Sequence, residues 1–173
     1  MFSEGLRRED CMSGFDHVAG WTFNEINKRT MRIGITFGVF DLLHAGHIMM
    51  LEEAKRNCDY LIVGLNTDPS EVDPTKNKPT QTVVERYIQL EGCHYVDEII
   101  PYETEQDLAD MLQALHVQVR FIGEEYRDKD FTGRKYCVEE GIEIYYNKRT
   151  HRFSSHGLRK VVADKEAEKV LKG

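Results

Sequence analysis

No run of apolar residues in this chain comes near the roughly 18 that a membrane-spanning helix needs. A bilayer span is therefore not expected. The sequence also has no CxxC pair, its four cysteines, Cys11, Cys58, Cys93 and Cys137, being widely scattered. Its first residues offer no apolar core of the signal-peptide kind, so packed, reduced thiols in a cytoplasmic protein are the expectation. Positive charge is in short supply: the formal net charge is -7. Nucleic acid is not the expected partner, and any bound anion must be caught by a local basic site. Internal repeats and low-complexity segments are lacking, tryptophan occurs once, and three of the four prolines fall within residues 66–80.

What is present suffices for one domain. The 173 residues are 40% hydrophobic and 31% charged, a globular balance, and a chain of this length buries roughly 70% of its unfolded surface. Residues 1–30 keep no sustained period and are expected to form a loose extension ahead of a domain over 31–173. Beyond them, apolar runs alternate with amphipathic segments. "RIGITF", "YLIVGL", "VDEIIP", "VRFIG" and "IEIYY" read as strands. "HIMMLEEAKRN", "TVVERYIQLE", "EQDLADMLQAL", "GRKYCVEE" and "SSHGLRKVVADKEAEKVL" read as helices. The alternation predicts an α/β fold: a doubly wound, mainly parallel five-stranded sheet with helices on both faces. In the first helix Ile48, Leu51 and Ala54 recur at three-residue steps and should face the sheet, with Glu52 and Arg56 paired on the solvent side. The stretch 66–80, "NTDPSEVDPTKNKPT", has no apolar period, and a connection of that length suits a binding loop or lid.

The stretch 37–50 reads "FGVFDLLHAGHIMM". It joins the first strand to the first helix, where open α/β sheets bind ligands. Unpaired amides at the helix start suit a phosphate, Gly46 permits close approach, and His44 and His47 would flank it as donors. Two other readings stay open. Asp41, His44 and His47 are spaced DxxHxxH, an acceptable zinc or iron set and the basis of a rival metallohydrolase, though no further cluster completes a site. The two histidines can also be plain helix caps. A second helix start lies at 149–160, "RTHRFSSHGLRK", where Ser154 and Ser155 can cap a helix beginning near Gly157 and Arg149 offers a planar fork to phosphate oxygens.

With both motifs in hand a resemblance can be named. "GVFDLLHAGH" resembles the HxGH signature of the nucleotidyltransferase superfamily, and the longer text is similar to its cytidylyltransferase branch, the glycerol-3-phosphate cytidylyltransferases above all. "RTHRFSSHGLRK" matches in part that family's RTxGIST or ISSTxxR signature, with His151, Arg152 and His156 as departures from it. The resemblance runs from Met31 to about Val162 and implies a Rossmann-like fold.

The resemblance also implies chemistry: CTP, or ATP as the alternative, and a small phosphorylated alcohol give a nucleoside-diphosphate alcohol and pyrophosphate. Glycerol 3-phosphate is the first acceptor, ahead of phosphoethanolamine, phosphocholine and sugar phosphates. His44, His47, Arg149 and a loop lysine, Lys76 or Lys78, are implied as catalytic. Phe37, Gly38, Phe40, Gly46, Gly123, Glu124, Ser154 and Ser155 are implied at the nucleotide. Asp41, Asp68 and Arg86 are implied at the acceptor, with Asp41 also read as holding the turn and Asp68 also as a plain turn former before Pro69. Mg²⁺ is expected to ride on the triphosphate rather than in a protein cage, and a homodimer is implied. A catalytically silent nucleotide-binding domain is the remaining alternative.

Overall fold

The computed structural model describes residues 31–148 and 153–172. The fold is that of the compact unit Arg32–Gly173; the expected loose extension at 1–30 lies outside the described residues.

Five strands form one sheet: β1 (Ile33–Gly38), β2 (Tyr60–Asn66), β3 (Glu98–Tyr102), β4 (Val119–Gly123) and β5 (Glu143–Asn147), in the order β3-β2-β1-β4-β5. Every neighbouring pair is parallel. The expected doubly wound sheet is therefore observed, and each parallel crossover carries helix: α1 (Ala45–Arg56), α2 (Val83–Glu91), α3 (Glu105–Ala114) and α4 (Arg134–Glu139), with α5 (Ser155–Lys172) following β5. A short helical turn, Pro69–Val72, follows β2. Chain order reverses between β1 and β4, which opens a crevice at their carboxyl ends.

The two faces hold separate cores. Leu51 and Ala54 of α1 and Leu90 of α2 pack with Leu61, Val63, Val119 and Phe121. On the other face Leu108 and Leu112 of α3 and Cys137 of α4 pack with Ile35 and Ile62. Burial on both sides explains why the central strands read as continuous apolar runs rather than alternating ones. Helix starts follow local chemistry, since Thr82 with Glu85 and Thr104 with Asp107 form reciprocal capping boxes at α2 and α3. Gly64 is required by tertiary packing: a Cβ there would lie 2.2 Å from the Phe37 ring.

Candidate active site

A cavity of about 540 Å³ opens at the carboxyl ends of β1 and β4, where the chain order reverses. Its size suits a small-molecule site. Phe37, Gly38, His44, Gly46, His47 and Lys76 line it from the first half of the chain. Gly123, Asn147, Lys148 and Phe153 line it from the second.

The turn that presents the histidines is strained. Phe40 and Leu42, neither a glycine, sit at φ 51° and 52°, a conformation that persists only where surroundings hold it. Four contacts do so. Phe40 is buried and its ring stands 5.3 Å from that of His47. Asp41, also buried, accepts from the Gln81 amide (2.9 Å) and from Arg159 of α5 (2.7 Å). Gln81 in turn accepts from the Leu42 amide at 2.7 Å. Burial pushes the Asp41 carboxyl up, but the amides of Gln81 and Thr80 and the Arg159 guanidinium together hold it below its ordinary value.

His44 is the N-cap of α1: its Nδ1 accepts from the amides of Gly46 (3.0 Å) and His47 (3.4 Å). The amides expected to lie open for a phosphate are thus capped by a side chain. The same bond fixes the chemistry of the ring, because a neutral imidazole that accepts at Nδ1 carries its proton at Nε2. The cap reading and the donor reading of His44 are therefore compatible, one nitrogen serving each. The His47 ring stacks on His44 with centroids 3.9 Å apart.

Asp41 does not join the histidines as a third ligand, since its two oxygens are engaged by Gln81 and Arg159. Among the described residues no three His, Cys, Asp or Glu side chains cluster to hold a metal. The same two bonds give Asp41 the turn-holding role that the sequence also suggested.

Arg86, expected to bind the acceptor, is buried and donates to the carbonyls of Gln81, Val39, Asn66 and Thr67. Its guanidinium is largely committed to the backbone around the site. Asp68 caps the helical turn Pro69–Val72, accepting from the Ser70 amide and hydroxyl, and its carboxyl is held low by the Ser70 hydroxyl first of all. That is the turn-former role. Both loop lysines are exposed; Lys76 lines the cavity, whereas Lys78 lies 3.9 Å from Asp68.

Ser154 caps α5 through the Gly157 amide (3.1 Å), and the Ser155 hydroxyl donates to the Asp41 carbonyl (3.0 Å). The second motif is thereby tied to the first. Arg149 lies outside the described residues. Glu124 turns to Arg127 at 3.9 Å, and its neighbour Glu125 lines the cavity instead.

Sequence reasoning missed Arg120, Asn147 and Lys148, which line the cavity, and Arg159. Asn147 is buried, and both of its side-chain amide atoms lack a hydrogen-bond partner among the described residues, as does the side-chain Oδ1 of Asn66. Buried polar groups are rarely left so. A signal existed for Arg120 alone: a cation inside the apolar run "VRFIG" is out of place unless it serves a site.

Residues 35–161 match the family described as cytidylyltransferase-like. The chain is similar to the glycerol-3-phosphate cytidylyltransferase of Bacillus subtilis (strain 168), 35% identical over 135 residues that span 77% of this chain and 98% of that one. Its counterpart in Staphylococcus aureus (strain NCTC 8325 / PS 47) is 34% identical over 80% of this chain and 100% of its own. The bifunctional protein HldE of Caulobacter sp. (strain K31) is 37% identical over 73% of this chain, which spans only 25% of that protein. Among solved structures, a lipopolysaccharide core biosynthesis protein from Thermoplasma volcanium GSS1 shares the fold, with a TM-score of 0.57 at 24% identity over 72% of this chain and 100% of that one. No helix among the described residues is long and apolar enough to cross a membrane. Sheet order, histidine turn and sequence likeness agree, and the chain belongs to the cytidylyltransferase-like family of nucleotidyltransferases.

Proposed function

We propose that the protein transfers the cytidylyl group of CTP to a small phosphorylated alcohol, releasing pyrophosphate. Glycerol 3-phosphate is the first acceptor to test, because it is named in the relatives of matching length. A phosphate oxygen of the acceptor attacks the α-phosphorus of CTP in line. The bond from that phosphorus to the α–β bridging oxygen breaks, and the electron pair leaves with pyrophosphate. The acceptor is itself the nucleophile, so no covalent enzyme intermediate is needed, and catalysis reduces to positioning and charge stabilisation.

The carrying observation is that His44 closes the helix through Nδ1, which in the neutral ring leaves Nε2 carrying the proton. In this reading His44 and His47 donate to the α-phosphate as negative charge moves across it. Lys76 spans donor and acceptor phosphates, and Arg149 with the start of α5 holds the departing pyrophosphate. Mg²⁺ carried by the triphosphate would neutralise part of its charge. Cytoplasmic location and a homodimer belong to the same reading, on the resemblance alone.

A pyrophosphate-release panel tests it, crossing CTP and ATP with glycerol 3-phosphate, phosphoethanolamine and phosphocholine in the presence of Mg²⁺. Release with CTP and glycerol 3-phosphate is expected. A signal with ATP alone overturns the choice of base, and CTP binding without release from any acceptor overturns transfer.

A further inference from the structure

Strand alternation divides the cavity into two halves. Thr36, which contacts Met50 of α1, and Phe121 lie on the face that carries the histidine turn. Phe37 belongs to the opposite core under α3 and α4. Arg120 shares that second half, and the transfer chemistry above gives it nothing to do.

Arg120 is only 4% exposed. Its guanidinium carbon lies 5.2 Å from the Phe37 ring centroid and 4.9 Å from that of Phe131. It donates to the Thr132 carbonyl, and its Nε is buried with no partner among the described residues. The guanidinium also hydrogen-bonds the Cys137 thiol, and the Tyr102 phenol lies close enough to influence it, but burial pushes both of their pKa values up, so they remain neutral and supply no counter-charge. Glu105, exposed at the start of α3, exerts a field on it without forming an ion pair. The ring faces offset part of the cost of a buried cation, and the rest calls for a counter-charge. A guanidinium stays protonated in such a place, and its planar fork matches a carboxylate.

We propose that Arg120 receives a second anionic group on the acceptor, a carboxylate at the end remote from the attacking phosphate. The inference rests on the nucleotidyl-transfer reading and sharpens its substrate class: the preferred acceptor is a small phosphorylated hydroxy acid rather than glycerol 3-phosphate itself.

Titration calorimetry on the full chain tests this, with CTP present and Mg²⁺ withheld so that no turnover intervenes. The probes are glycerol 3-phosphate and 3-phosphoglycerate, which differ by a carboxylate in place of a CH₂OH group. At least tenfold tighter binding of 3-phosphoglycerate is expected. Arg120→Met should abolish that preference while CTP binding persists, and Arg120→Lys, which keeps charge but loses the fork, should retain part of it. Equal or absent binding of the two probes to the wild type overturns the proposal, as does a preference that survives Arg120→Met. So does a loss in that variant confined to CTP, which would place Arg120 on the nucleotide. Should Arg120→Met fail to fold, the wild-type comparison and Arg120→Lys decide. Adding Mg²⁺ separates the two readings. Selective binding without pyrophosphate release defeats transfer and leaves the anion site standing. Release from glycerol 3-phosphate with no gain from the carboxylate does the reverse.

Discussion

Replacing Asp41 by alanine should reveal how much the strained turn depends on a single anchor. The side chain accepts from the Gln81 amide and from Arg159, and it is 4% exposed. Its loss strands the half-buried Gln81 amide, at a cost of about 1 to 3 kcal/mol. Arg159 is about a third exposed and can turn to water, so its share is below about 1 kcal/mol. The anchor also opposes the cost of holding Phe40 and Leu42 at positive φ. If the turn stays in place after the anchor is lost, destabilisation is about 1 to 4 kcal/mol, which for a chain of this size lowers Tm by roughly 2 to 15 °C. If instead the turn relaxes, Tm falls less and the histidines leave their stacked arrangement, so activity falls more. Thermal denaturation followed by circular dichroism, together with pyrophosphate release on the same samples, separates the two outcomes. A variant that melts within about 2 °C of wild type and keeps its turnover would refute the anchoring argument.

His47→Ala should fold normally, since the cap of α1 belongs to His44, yet lose on the order of 10² to 10³ in turnover; half-maximal activity would remove it from the mechanism. Lys76→Ala should lower kcat/KM well beyond Lys78→Ala, because Lys76 alone of the two lines the cavity, and equal effects would contradict this placement. The Asp41 carboxyl titrates below its ordinary value when folded, so its contribution to stability is complete above about pH 4, the unfolded value, and is lost as pH falls through the folded one. Asp41→Asn should accordingly flatten the stability curve below that pH, and acid limbs of equal steepness in the two proteins would count against it. Arg86→Lys should destabilise by about 2 to 5 kcal/mol, since one ammonium cannot serve four divergent carbonyls and each one left buried and unpaired costs about 1 to 3 kcal/mol; unchanged melting would show that water takes their place.

The strands were legible because both faces of a parallel sheet are buried, which turns each into an apolar run bounded by polar turns. The histidine turn was legible because strand, glycine and helix start are adjacent in sequence. Contacts that join distant segments were not. The Asp41–Arg159 pair spans 118 positions and the Arg86–Val39 bond 47, and no local pattern announces either. The roles of Lys76 and Lys78 depend on how the loop folds back, so two residues in the same polar text separated only in three dimensions. Arg120 was visible as an anomaly in an apolar strand, while its aromatic sandwich required Phe131, eleven positions later, to close over it.

The position of Arg86 explains why a site at the end of a parallel sheet can be rigid. Where strands end, the chain diverges and the last carbonyls lose their ladder partners, and those groups must be satisfied if they are buried. Arg86 gathers four of them, from the segments that follow β1 and precede α2 and from the end of β2. Asp41 draws the same pre-α2 segment and α5 onto the β1 turn through Gln81 and Arg159. Burial pushes the Arg86 pKa down, and the Asp41 carboxylate opposes that push through its field without a direct bond. The segment that precedes α2 and the first turns of α5 are thus fastened to the turn bearing His44 and His47 before any ligand arrives. Transition-state stabilisation by fixed donors requires that order of events, because donors that must first be gathered lose part of what they contribute.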